Sequence, residues 1–299
     1  MDLALVCRVF FGAGAAVSLG GALNPSFRSR IMTYGSRSTK ITSSPKKRKR
    51  LSPYGLFHEI SILQVPHTWF IHYYIASVGS SIFWLHQMIT RGVILRLITP
   101  ISSSQDVLEN RTQILLAWLL MFIQGTRRLY ESVIFTKPTK STMWFGLWII
   151  GIIFYFFIGI AVWIEGFTQL DCTSWRNYCS AFSATSLKSI TAILMFILAS
   201  TVQHICHRHL AGLKKYSLPN HWLFDWIVCP HYASECFIYL AITLISAPSG
   251  LLFNRTVSMG LIFVVSNLAV TADSTKNWYA ENFGKDSVQR KWRMVPFLY

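Results

Sequence analysis

The stretch from Met143 to Ile164, MWFGLWIIGIIFYFFIGIAVWI, contains no charged residue. A helix needs about 20 mostly apolar residues to cross roughly 30 Å of hydrocarbon, so this segment reads as a membrane span. Outward from it, six weaker candidates follow the same logic: Leu3 to Leu23, Trp69 to Ile89, Thr112 to Gln124, Leu187 to Gln203, Ile227 to Ile245 and Val257 to Val270. The fourth of the seven in chain order is thus the strongest, and Thr112 to Gln124 is expected to extend past Arg127 and Arg128 toward Phe135. Arg8 interrupts the first apolar run, which favours a span over a signal peptide.

Composition agrees. Of 299 residues, 52% are hydrophobic and only 13% charged, whereas a soluble domain carries about 25% charged residues. Six cysteines in so long a chain exclude a disulfide scaffold, and the apolar content excludes a disordered polymer. The expected fold class is therefore all-α, an integral membrane protein of seven transmembrane helices forming one domain over 1–299.

The net charge of +16 is unevenly placed. The segment from Asn24 to Tyr54 holds nine Lys and Arg and no acid, including Lys46 to Arg50. Basic loops stay on the cytosolic side. Alternating from there puts 21 Lys and Arg on the cytosolic face and six on the other, with Arg8 inside the first span. The N-terminus is then lumenal and the C-terminal tail cytosolic. Two glycosylation sequons, at Asn110 and Asn254, fall on the lumenal side of this count. Cys172 and Cys179 fall there too, either as a disulfide or as two thiols. The Lys46 to Arg50 run is read as an orientation signal on a flexible Ser-rich loop, about 24–54, and not as a nucleic-acid patch.

Ionisable residues in or at the ends of spans are expensive and are functional candidates by default. Four clusters qualify. Pro66 to Tyr74, PHTWFIHYY, sets His72 and two phenols in the first turns of the second span; an interfacial aromatic belt explains its Trp and Tyr equally well, and His72 less well. Gln124 to Glu131, QGTRRLYE, carries adjacent guanidiniums, of which one is expected to pair with Glu131 and the other to face an anion. The alternative is a purely orienting basic pair. The third cluster runs from His204 to Glu235 and includes His207, Arg208, His209, Lys214, Lys215, Tyr216 and Cys229-Pro-His-Tyr232. His204 and His207 share a helix face, but a lone histidine box is a weak metal signal, and a basic, anion-facing loop is the preferred reading; no metal is expected. The fourth is the aromatic and basic tail, with Trp278, Tyr279, Arg290-Lys291 and Pro296-Phe297. Folded onto the preceding loop it would close an electropositive cavity suited to a phosphorylated cofactor; free of it, it would lie on the headgroups. Gly12-Ala-Gly14 lies in a span, so no Rossmann fingerprint exists and any nucleotide must be held by helices and loops.

At these clusters the sequence resembles the steroid 5-alpha-reductase family, in its polyprenal reductase branch. The matching pieces run in order over nearly the whole chain: Tyr34-Gly35, Val65-Pro66 with Trp69-Phe70 and His72-Tyr73, Gln124 to Glu131, His207-Arg208 with Leu210-Ala211, Tyr216 to Pro219, Cys229 to Tyr232 with Glu235, and Asn277-Trp-Tyr279 through Pro296-Phe297. The resemblance implies NADPH, hydride transfer to an activated carbon–carbon double bond, a long-chain isoprenoid substrate with no obligatory protein partner, and the endoplasmic reticulum membrane. It implies His72 and Tyr73 as electrophilic donors, where steroid-reducing relatives carry a Gln-Glu pair. It implies that His231 holds the nicotinamide or relays the proton, and that Arg128, Tyr216, Glu235, Tyr279 and Arg290 contact the cofactor, largely within a C-terminal half of about 187–299. Gly284 to Gln289 departs from the Tyr-Pro-Lys stretch of many relatives. Three rival readings stand beside this one: a 3-oxo-steroid 5-alpha-reductase, a membrane prenylcysteine methyltransferase, and a seven-span transporter or receptor without enzymatic activity.

Overall fold

A computed structural model of the chain describes residues 2–24, 63–90, 92–98, 107–137, 140–166, 187–214, 217–248 and 250–299. Among these the protein is almost wholly helical. The long helices are α1 (Leu3–Leu23), α2 (Ile71–Thr90), α4 (Val107–Phe135), α5 (Phe145–Ile164), α6 (Leu187–Gly212), α8 (Pro230–Ile245) and α9 (Arg255–Phe283), with two short ones, α3 (Val93–Ile98) and α7 (Leu223–Trp226). Each expected apolar segment falls largely within one of the seven long helices, with Trp69–Phe70, Met143–Trp144 and Ile227–Cys229 lying just ahead of theirs, and the third does extend to Phe135. Four of them, α1, α5, α6 and α9, are long and apolar enough to cross a membrane. The basic loop from 25 onward, Cys172, Cys179, Lys215 and Tyr216 lie outside the described residues.

Departing from an all-helical reading, Gln64–Pro66 (β1) and Thr142–Trp144 (β2) pair antiparallel, with Val65 opposite Met143. The pairing brings the entry of α2 beside the entry of α5. At those entries glycines admit the neighbouring helix: a Cβ on Gly151 would stand 2.5 Å from the Tyr73 ring, and one on Gly125 2.6 Å from the Ser77 hydroxyl. α5 is the central element. Its Phe154, Ile158 and Ala161 share one core with Phe11 of α1, Leu120 of α4, Phe196 of α6, Ile242 of α8 and Val257 of α9. Large apolar side chains on the outer faces, among them Val9, Ile75, Ile82, Leu194, Leu198 and Ile262, remain exposed. In water that much apolar surface would be a liability; against acyl chains it is solvated.

The entry of α9 is tightly capped. The Asn254 side chain accepts from the Val257 amide at 2.9 Å and donates to the carbonyl of Ser246 at 3.1 Å. Glu165 accepts from the amides of Arg255 and Thr256 at 2.9 and 2.8 Å. A carboxylate at a helix N-terminus satisfies orphan donors and meets the positive end of the helix dipole. Asn254 is fully buried.

Candidate active site

Gln124, Arg127, Arg128 and Glu131 recur on α4 at spacings of three and four and so share one face. Glu131 is its hub. Its carboxylate accepts from Arg127 Nη1 on one oxygen and Arg128 Nη1 on the other. Two imidazoles complete it: His204 Nδ1 lies 2.8 Å from Oε1 and His207 Nδ1 2.7 Å from Oε2. Four donors surround a side chain that is only 1% exposed. Both guanidiniums therefore engage Glu131, where the sequence was expected to leave one of them for an anion. The histidine pair that shares a face of α6 likewise turns its Nδ1 atoms to this carboxylate. His207 Nδ1 also lies 2.7 Å from Arg128 Nη1; the carboxylate only accepts and the guanidinium only donates, so this one nitrogen serves either partner according to the tautomer.

A second carboxylate joins from α8. Glu235 Oε2 accepts from Gln203 Nε2 and, at 3.2 Å, from Gln124 Nε2. Gln203 Oε1 accepts in turn from Arg127 Nη2 and from Gln124 Nε2. Arg128 Nη2 donates to the Tyr74 hydroxyl at 2.5 Å, and its guanidinium lies 4.8 Å from the centre of that ring. Two guanidiniums and two carboxylates thus balance within one hydrogen-bonded unit built from α2, α4, α6 and α8. Buried charges are tolerated only when paired and saturated in this way. The unit is not closed to further ligands: the buried Arg127 Nε has no partner among the described residues.

His231 stands at the start of α8, where Pro230 occupies the first helical turn. Its ring is 5.6 Å from that of His207 and 4.3 Å from that of Tyr232, and its carbonyl accepts from Gln203 Nε2 at 3.4 Å. The tail folds onto the loop before this helix. Trp292 N donates to Trp226 O and Val228 N to Trp292 O, each at 2.8 Å, a short parallel bridge, and Lys291 Nζ reaches Phe224 O at 2.9 Å. Arg293 pairs with Asp273 at 2.7 Å. The folded tail encloses a cavity of about 250 Å³ lined by Lys276, Gln289, Arg290, Lys291, Trp292 and Arg293, with Leu298 and Tyr299 at its edge. A smaller crevice beside it is lined by Tyr279, Pro219, Phe224 and Lys291. The tail is therefore packed on the loop, as the first of the two sequence readings held.

Of the residues singled out from sequence, Arg128, Glu235 and His231 come together at this unit. Tyr279 and Arg290 border the tail cavities. Tyr216 lies outside the described residues. His72 and Tyr73 take another direction: Trp148 Nε1 donates to His72 Nδ1 at 3.3 Å, and the Tyr73 hydroxyl donates to Leu147 O at 3.1 Å, so both lean on α5. On α2 the buried stripe is Tyr73, Ser77, Ser81 and Trp84, and His72 sits at its flank beside exposed Ile75. The next residue, Tyr74, is the one that reaches the guanidinium. Sequence reading quoted Tyr74 but did not single it out, and it passed over Gln203 as the end of an apolar run. A helical-wheel projection of α2 and α6 is the signal that finds both.

The fold and this site define a helical membrane protein with a hydrogen-bonded Arg–Glu–His unit, and with a basic tail folded on the loop before α8. A sequence model of the family described as 3-oxo-5-alpha-steroid 4-dehydrogenase matches residues 160–299. The polyprenal reductase of Saccharomyces cerevisiae is 29% identical over 184 residues, 61% of this chain and 64% of that protein. That of Xenopus tropicalis is 26% identical over 207 residues, 66% of this chain and 65% of the relative, and that of Caenorhabditis elegans 24% identical over 256 residues, 79% of this chain and 80% of the relative. The chain spans just under two thirds of the length of the yeast and frog proteins. The resemblance carried by the motifs is borne out: residues 160–299 match the model of the steroid 5-alpha-reductase family, and the chain is similar over more of its length to polyprenal reductases.

Proposed function

We propose that this protein is an NADPH-dependent polyprenal reductase that saturates the alpha-isoprene double bond of polyprenal to give dolichal, on the route to dolichol and protein N-glycosylation. It works from the endoplasmic reticulum membrane as a seven-span protein, N-terminus lumenal and C-terminus cytosolic, with all seven long helices crossing. The observation that carries the reading is the joining, through Gln124 and His207, of Arg128 with His231 and Glu235, from two motifs distant in sequence, at one end of the bundle beside a basic, folded tail.

The donor set suits a dinucleotide phosphate. Arg127 keeps a buried unpaired Nε, and the tail cavity gathers Lys276, Arg290, Lys291 and Arg293. Clustered guanidinium and ammonium groups of this kind are how proteins hold phosphate. Arg128, Tyr216, Glu235, Tyr279 and Arg290 would hold NADPH, which when bound supplies the hydride. The acceptor must be a conjugated aldehyde, because hydride adds to an alkene only where the resulting charge can delocalise onto an oxygen. Hydrogen-bond donors aimed at that oxygen lower the barrier. Among the candidates, His72 has Nε2–H to offer, since Nδ1 accepts from Trp148, while the Tyr73 hydroxyl is committed to Leu147 O. His231, whose ring lies beside that of His207, would orient the nicotinamide or pass the proton to the alpha carbon.

The test is an NADPH-dependent assay on the purified protein in detergent, with polyprenal, polyprenol and a 3-oxo-4-ene steroid offered in parallel. Dolichal from polyprenal, lost in His231→Ala, is the expected result. Steroid turnover alone overturns the substrate assignment; no turnover and no NADPH binding overturn the reductase reading.

A further inference from the structure

The Tyr74 hydroxyl has an unusual set of partners. It accepts from Arg128 Nη2 at 2.5 Å, and among the described residues nothing accepts its hydrogen. A phenol can donate one bond while accepting others, so the hydrogen remains to be placed. The ring is held against the guanidinium on one side and edge-on to Tyr155 at 6.1 Å on the other. The side chain is half-buried. Arg128 is itself fixed by Glu131. The bond from Arg128 leaves the Tyr74 hydrogen free to be donated, whereas the hydroxyl of its neighbour Tyr73 is committed to Leu147 O.

Resting on the reductase reading, we infer that Tyr74 is the electrophile of the reaction, its O–H bonding to the aldehyde oxygen of the substrate. As hydride arrives at the beta carbon, the alkene pair moves to the bond between the alpha and carbonyl carbons, and the carbonyl pair moves to oxygen. Tyr74 donates its hydrogen to that oxygen, giving the enol, and Arg128 carries the charge of the phenolate. A proton delivered to the alpha carbon from water by way of His231, with loss of the enol hydrogen to the phenolate, completes dolichal and restores Tyr74. The charged or titratable groups that face Tyr74 are Arg128 and Glu131 of α4, Tyr155 of α5, and Glu235 and Tyr239 of α8.

The experiment uses the full chain. Tyr74→Phe keeps the ring and removes the donor, and should lower kcat with polyprenal by about 10²–10³-fold, the usual loss for one oxyanion donor, while NADPH binding read by fluorescence is retained. Replacement of Tyr74 by 3,5-difluorotyrosine keeps the hydroxyl and makes it more acidic. The alkaline limb of kcat should then move to lower pH, which a packing role would not cause. The same replacement at Tyr130, exposed on α4, should leave the limb in place. Wild-type kcat in Tyr74→Phe, or an unmoved limb in the fluorinated protein, overturns the inference. Should Tyr74→Phe lose NADPH binding through disturbance of Arg128, the fluorinated protein decides. A wild-type chain that reduces no enal sinks the reductase reading instead, so the two failures are distinguishable.

Discussion

Glu131 shows how a single carboxylate can organise a site. Its four donors come from two helices, and three of them, Arg127, Arg128 and His207, are less than 20% exposed. Removing one partner of a buried ion pair costs about 3–5 kcal/mol, because the stranded charge stays desolvated. Glu131→Gln, which keeps shape and loses charge, should therefore destabilise the detergent-solubilised protein by that order, read as a lower denaturant midpoint with an unchanged slope. A midpoint within error of the wild type would mean that the guanidiniums find water and the hub is dispensable. Sequence spacing announced that Glu131 shares a face with both arginines, but only the packing of α6 against α4 tells which of them it takes. Asn254 carries a second lesson. The triplet Asn-Arg-Thr reads as a glycosylation acceptor, yet the side chain caps α9 and is fully buried. The Asn254 amide nitrogen already donates to Ser246 O, and a glycan there is incompatible with the cap. Mass spectrometry of the protein from a glycosylating host should find Asn254 unmodified; an occupied site would show that the cap forms differently in the cell.

The elements were legible where the chain is apolar and obscure where a helix turns a polar face inward. The unbroken run in α5 is unambiguous. α4 scores poorly as a span because Gln124, Arg127, Arg128 and Glu131 lie on one face, directed into the bundle and not toward lipid. α8 has only 16 residues, and the segment reaches a crossing length only with Ile227 to Cys229 ahead of it; it is held by α6 and α9 on either side. The strand pair at the entries of α2 and α5 left no readable trace, since three residues a side are too few for an alternating pattern. Close approach of those two helices rests on Gly151, over which the Tyr73 ring lies. Gly151→Ala puts a methyl where the ring stands, and a phenol ring packed between helices cannot swing aside as a flexible chain end can. Overpacking of this kind costs about 1–3 kcal/mol, against the small gain that alanine brings to an exposed helix. A lowered thermal midpoint is expected, whereas a raised one would show that α2 and α5 can separate freely at this level.

Across the whole molecule, the charge excess and the proposed cofactor belong to one argument. Positive residues that fix topology need no particular neighbours, but the tail cations are gathered: Lys276 reaches the carbonyl of Lys291 at 2.6 Å, Lys291 that of Phe224, and Arg293 the carboxylate of Asp273. Arg290 stands apart. It is exposed at the cavity rim, and no side chain or carbonyl among the described residues engages it. A cation left uncompensated beside three that are tied down is the one most able to meet a phosphate, and the extra phosphate is what distinguishes NADPH from NADH. A hydrogen bond to a charged group is worth about 1.5–3 kcal/mol, or roughly ten- to a hundredfold in affinity. Arg290→Ala should accordingly raise KM for NADPH by at least about tenfold on that scale, leave the weak use of NADH unchanged, and flatten the dependence of NADPH affinity on salt, since an exposed charge is screened over about 8–10 Å at physiological ionic strength. Equal loss with both nucleotides would instead assign Arg290 to folding of the tail, and the cavity would then be a consequence of the Lys291 and Arg293 tethers and not a phosphate site.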